Sequence, residues 1–153
     1  MRAAYRWEWD ARSLGVLDTL NRDLRIVLDD ARRFSMVPFQ LVEGARSIER
    51  QQELFNTGKS KVNPAAYAGN LPGLYAAARH VVGPGKPLSD AVDVIVQLRG
   101  KEYDTAQLAY VSGVLQAIAL VRSMEIRWGG NWDGDAEIIT DQSFDDLVHF
   151  ELG

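Results

Sequence analysis

Apolar residues at Leu17, Leu20, Leu24, Val27, Ala31 and Phe34 recur in steps of three and four. That spacing keeps one stripe of an α-helix turned toward a core, and it predicts a single amphipathic helix from Ser13 to about Phe34. Phe39-Gln40-Leu41-Val42 then reads as a short strand. Ser47 is placed to cap a second helix, with Glu49 in its first turn near the positive helix end. That helix runs through Leu54 and Phe55 to a stop at Gly58. From residue 58 to 88 the periodicity lapses into glycine, proline and small residues, which predicts irregular chain with one short helix near 72–79; so long a stretch in a small domain is usually functional or mobile. Val92 to Leu98 has the valine and isoleucine content of a buried strand. Tyr103 to Met124 repeats the helical pattern through Leu108, Val111, Leu115, Ile118 and Val121. Glu125 to Trp128 and Val148 to Leu152 are the remaining strands, the first of them broken by Gly129-Gly130. Helices bracketing a small sheet make the class α+β.

Composition narrows what such a chain can do. Its 153 residues are 46% hydrophobic and 25% charged, as expected of one ordinary domain with a real core over residues 1–153. A net charge of −4 without any basic run argues against a phosphate-tracking surface, so nucleic acid is not the expected partner. Lys59, Lys61 and Arg79 could still serve an acidic substrate. The absence of cysteine excludes disulfides, thiolate metal sites and cysteine nucleophiles. The start, MRAAYRWEWDARS, lacks the apolar run of a signal peptide, and no segment is long and apolar enough to span a membrane. The expectation is a soluble protein made in the cytoplasm.

Only two histidines are present, His80 and His149. Either alone is as readily a polar surface residue as a ligand. Their company changes the picture. Asp93 sits in Ala91-Val92-Asp93-Val94-Ile95-Val96, a charge at the head of a strand that otherwise belongs in the interior. A buried carboxylate needs a partner. His149 is likewise embedded in Val148-His149-Phe150. Two histidines and one aspartate at strand edges would make a three-ligand zinc site with a fourth position open, although spacing alone does not establish it.

Four blocks in order, "EGARSIERQQELFNTG", "ARHVVG" with "SDAVDV", "WGGNW" and "DDLVHFEL", resemble the VanY-like peptidoglycan peptidases, and within them the L-alanyl-D-glutamate endopeptidases used as bacteriophage endolysins. The resemblance covers roughly residues 39–152. It implies a small antiparallel sheet flanked by helices, of the Hedgehog/DD-peptidase-like kind, and a bound Zn2+. In that family a His-x-x-Gly-x-Ala-x-Asp motif supplies two zinc ligands, matched here by His80, Gly83, Ala91 and Asp93. An Asp/Glu-x-x-His motif supplies a catalytic carboxylate and the third ligand, matched by Asp146 and His149. Arg46 matches the arginine that steadies the substrate and its developing oxyanion. Trp128 and Trp132 fall in a tract typical of the endopeptidase branch and are expected on the cleft wall.

Three departures stand out. Six extra residues, at about 84–89, separate Gly83 from Ala91, which leaves Asp90 as a rival to Asp93. Ala78 stands where the family commonly has serine, and Ala45 where it often has an aromatic residue. Glu43 is expected to brace the loop that carries Arg46, and Asp145 to be a solvated acid. Asp133 and Asp135 resemble a calcium loop only superficially, since the closing glutamate is missing. The resemblance implies a monomeric peptidase acting on the peptide stem of peptidoglycan after release by another factor. The rivals are a D-alanyl-D-alanine carboxypeptidase or dipeptidase, and a non-catalytic cell-wall-binding domain.

Overall fold

The computed structural model of the chain describes residues 6–139 and 144–153. Two helices, α1 (Ala11–Leu17) and α2 (Arg22–Phe34), lead into strand β1 (Phe39–Glu43) and helix α3 (Ile48–Asn56). A 3-10 turn at Pro64–Tyr67 and helix α4 (Leu71–Ala77) precede β2 (Ala91–Val96). Helix α5 (Thr105–Val121), β3 (Ile126–Gly129) and β4 (Asp146–Leu152) complete the order. The four strands form one antiparallel sheet, β1-β2-β4-β3. Among the described residues, no helix is long and apolar enough to cross a membrane.

The single helix expected from Ser13 to Phe34 is two helices, and the cause is tertiary. Leu20 pairs with Ser89 across a parallel bridge. Ser89 N donates to the Thr19 carbonyl at 2.9 Å, and Asn21 N to the Ser89 carbonyl at 2.8 Å. Asn21 then restarts the helix as its N-cap, its side chain accepting from Asp23 N. The apolar stripe nevertheless runs on through the break, with Leu17, Leu20, Leu24, Val27 and Ala31 all buried. Helix α5 also stops earlier than its pattern suggests: Ser123 turns left-handed at φ 57°, and Val121 is 87% exposed.

Strand alternation gives the sheet two unlike faces. Val92, Val94 and Val96 of β2, Phe39 and Leu41 of β1, Ile126 and Trp128 of β3 and Phe150 of β4 all enter one core with α2 and α5. Asp93, His149 and Glu151 alternate to the opposite face. Across that face a second, smaller cluster of Leu74, Ala78 and Val81 packs with Ile48, Val62 and Tyr75. The space between this satellite cluster and the polar face of the sheet is the cleft.

Candidate active site

Register decides which side chains meet. Asp93 is the Cα partner of His149 across the β2–β4 pair, and Glu43 is its partner across β1–β2. His80 arrives from the chain just after α4, where the Arg46–Val81 bridge holds the loop beside the sheet. Arg46 N donates to the His80 carbonyl at 2.8 Å, and Val82 N to the Arg46 carbonyl at 3.0 Å. His80 and the Arg46 loop are therefore positioned by one short backbone pairing.

Three donor atoms converge. His80 Nε2 lies 3.1 Å from Asp93 Oδ1 and 3.2 Å from His149 Nδ1, and His149 Nδ1 lies 3.3 Å from Asp93 Oδ1. These residues form a group able to hold a metal ion. Tetrahedral ligands at about 2.0–2.1 Å from zinc stand about 3.3 Å apart. Both rings also have their far nitrogen committed, His80 Nδ1 to the Gly44 carbonyl at 2.7 Å and His149 Nε2 to Glu151 Oε2 at 3.0 Å. Each of these acceptors takes the proton of the far nitrogen, so His80 Nε2 and His149 Nδ1 face inward together with the carboxylate, and loss of the His149 Nδ1 proton would free its lone pair for a metal. The donor set fits a divalent cation of the zinc kind.

Electrostatics of the metal-free protein follow from the same crowding. Burial pushes the Asp93 carboxyl up, but hydrogen bonds with His149 and His80, and the charges of both, outweigh it and hold Asp93 well below the usual range. Burial alone would depress His149. Its bonds to Asp93 and Glu151, with the charges of Asp93 and Asp146, instead raise it to about 9. Asp146 is raised, first by burial and then by the Asp93 carboxylate, against the pull of His149, His80 and Arg46.

A cleft with a cavity volume of about 390 Å3 opens over this group, and Arg46, Asp146, Trp132, Lys59, Lys61 and Arg79 all line it. Arg46 is fixed at two points: its Nε donates to Glu43 Oε1 at 2.7 Å and its Nη1 to Gln51 Oε1 at 2.8 Å. Glu43 thus braces Arg46, as expected. Gln51, which the sequence reading passed over, is fully buried and ties Arg46 to the following loop through Ser60 Oγ and the Val62 carbonyl.

Trp128 does not reach the cleft. It is 2% exposed, packs in the main core against Phe150 and donates its Nε1 to the Leu147 carbonyl. It shares strand parity with Ile126, so it points with Ile126 into the core. Trp132, beyond the strand end, does line the cleft and lies against the His149 ring, centroids 5.4 Å apart. Asp90 is also elsewhere: it accepts from Asn21 Nδ2 at 3.0 Å and pairs with Lys86 at 3.4 Å. The extra residues before it make a tight turn between Gly83 and Lys86, with Tyr75 Oη donating to the Pro84 carbonyl. The insertion is docked on α4 and the α1–α2 break, and Asp93 keeps its place in the triangle. Ala78 packs in the satellite cluster. The residue missed altogether is Glu151, two positions after His149 on the same face of β4.

Fold and site together define an α+β protein whose cleft opens on a His-Asp-His donor set suited to one metal ion. The chain belongs to the phage L-alanyl-D-glutamate peptidase family, whose model matches residues 5–153. It is similar to the solved L-Ala D-Glu endopeptidase ChiX of Serratia marcescens, at 28% identity and a TM-score of 0.69, covering 94% of this chain and 87% of that one. No curated protein sequence matches it. The family and the α+β class expected from the sequence are those found.

Proposed function

We propose that this chain, as one domain over residues 1–153, hydrolyses the amide bond between L-alanine and D-glutamate in the peptide stem of peptidoglycan. Zinc is the metal, with His80, Asp93 and His149 as its ligands. The observation that carries this reading is the triangle of inward-facing donors, 3.1–3.3 Å on a side, under a cleft in a chain of this family. What zinc supplies when bound is Lewis acidity, toward the scissile carbonyl and toward the attacking water.

The protein side of the reaction is assigned as follows. Asp146 accepts the proton of the attacking water and returns it to the leaving amine of D-glutamate; its raised pKa favours the return step. Arg46, pinned through Nε and Nη1, keeps its remaining edge for the carbonyl oxygen as negative charge develops there. Trp132 forms part of the wall beside His149. A glutamate whose amine is in the scissile bond and which continues the chain through one carboxyl still carries the other. Lys59, Lys61 and Arg79 line the cleft and offer positive charge to that carboxylate. The chain acts as a monomer and reaches the wall through another factor.

Digestion of purified peptidoglycan, followed by mass spectrometry of the fragments, tests the assignment. New fragments ending in L-alanine and beginning with D-glutamate are expected. Release of terminal D-alanine alone would make the chain a carboxypeptidase, and binding without any cleavage would make it a wall-binding domain.

A further inference from the structure

Resting on that zinc assignment, a second set of side chains surrounds His149 and is not accounted for by the ligands themselves. Glu151 is 7% exposed, an acid buried in a sheet face. Its two oxygens are divided. Oε2 meets His149 Nε2 at 3.0 Å, and Oε1 accepts from Arg127 Nη1 at 2.9 Å. Arg127 is the cross-strand partner of Glu151 in the β3–β4 register. Its guanidinium in turn lies over the Trp132 ring at 5.2 Å, and Trp132 lies against His149. Arg127, Glu151, His149 and Trp132 therefore close a ring of contacts around one imidazole.

We propose that Glu151, braced by Arg127, is the positioning residue that fixes the His149 ring with Nδ1 toward the metal. The strand itself leaves the ring a choice. Rotating the imidazole by half a turn about its Cβ–Cγ bond exchanges Nδ1 with a carbon, which cannot ligate. Only the orientation seen here lets Nε2–H donate to Glu151 while Nδ1 joins His80 Nε2 and Asp93 Oδ1. A carboxylate acceptor also makes the imidazole a better electron donor than a carbonyl does. The two histidines differ in this respect, since His80 is held by the Gly44 carbonyl. Arg127 serves by holding Glu151 Oε1, which stops the carboxylate from turning and keeps Oε2 on His149 Nε2. An unpaired carboxylate at this depth would be costly, so Arg127 supports the placement of Glu151.

Zinc affinity of the metal-free protein, measured by competition with a chromophoric chelator, reads this directly. Glu151→Ala is expected to weaken zinc by roughly 10- to 100-fold. Glu151→Gln keeps the volume and one acceptor oxygen, so it should fold and fall between the two. Arg127→Ala should weaken zinc less, and should add little in the Glu151→Ala background because it acts through Glu151. In nitrogen-resolved NMR of the zinc-loaded protein, the His149 Nε2 proton should be protected from exchange and lose that protection in Glu151→Ala. Folded Glu151→Ala and Glu151→Gln proteins that bind zinc within twofold of the parent would overturn the proposal. His149→Ala separates the two levels. If it binds zinc normally, the ligand assignment itself fails; if it loses zinc while Glu151→Ala does not, only the role of Glu151 fails.

Discussion

Gly129 offers a test of how tightly the Asp146 end of β4 is held. A Cβ added there would come within 2.8 Å of the Asp146 carbonyl carbon and 2.9 Å of the Asp146 Cβ, and closer still to the Asp146 carbonyl oxygen. Ordinary carbon contacts lie at about 3.5–4.0 Å, so Gly129→Ala forces a displacement on the order of 1 Å. The colliding atoms are the Asp146 carbonyl and the Cβ fixed to its backbone, and none of them can swing aside. Overpacking of this kind costs about 1–3 kcal/mol, which in a chain of this size lowers Tm by roughly 3–10 °C. The functional effect should be larger than the structural one. Asp146 is the residue displaced, and misplacing a reacting group by about 1 Å can cost roughly a hundredfold in rate. His149, the proposed ligand, lies deeper in the strand, paired with Asp93. Gly129→Ala is thus expected to retain zinc by metal analysis, melt a few degrees lower and turn over stem peptide about a hundredfold more slowly. Parental turnover at a parental Tm would refute the reasoning, because it would mean β3 and β4 do not approach as described or that Asp146 need not be held.

Other consequences can be checked separately. Asp146→Asn preserves shape but cannot carry a proton, so metal analysis should show full zinc while the rate falls by roughly a hundredfold or more; loss of zinc would instead make Asp146 a ligand. Arg79→Gln should remove a preference for stems with a free glutamate carboxylate over stems amidated at that position, lowering kcat/KM on the acidic substrate by roughly 10- to 100-fold and leaving the amide substrate unchanged. The metal-free protein should show a pH dependence set by His149, whose value rises from 6.5 to about 9 on folding. A raised value means stability fully present below pH 6.5 and lost as pH climbs through about 9. Thermal melts of the apoprotein across that window should fall with pH, while zinc binding should tighten, since the metal displaces a proton from the ring. Melts that rise over the window would contradict the contacts given to His149.

Much of this architecture is legible in the residue pattern, and the exceptions have physical causes. The valine and isoleucine content of Val92–Leu98 predicts a buried strand headed by the charge of Asp93, and β2 is that strand, with Val92, Val94 and Val96 in the core and Asp93 on the opposite face. Period-two alternation, applied to Ile126 and Trp128, sends Trp128 to the core with Ile126; the tract's resemblance to the endopeptidase branch and its neighbouring glycines say nothing of that parity. Those glycines do mark a close approach, at Gly129 against Asp146. The break between α1 and α2 was not legible, because the apolar stripe passes through it and the interruption depends on Ser89, far along the chain. Glu151 was within reach, being two residues from His149 in a strand and hence on its face.

The site and the core are specified by one register. Val92 meets Phe150 on one face of the central strand pair, while Asp93 meets His149 on the other. A slip of β4 by a single residue would turn His149 into the core and present Phe150 or Val148 to the cleft. It would also carry Glu151 away from Arg127 and bury its charge. The apolar parity of β4, with Val148, Phe150 and Leu152 packed in or against the main core, therefore excludes the register that would destroy the donor triangle. The same argument explains how a cluster of two histidines and two acids can persist in a buried sheet face. Its polar groups are paired with one another, Asp93 with His149 across the strands, His149 with Glu151 along β4 and His80 with Asp93 from the adjoining loop, and the strands are held in place by side chains on the reverse. Stability is supplied from the apolar face, and the chemistry rides on the alternation that this face enforces.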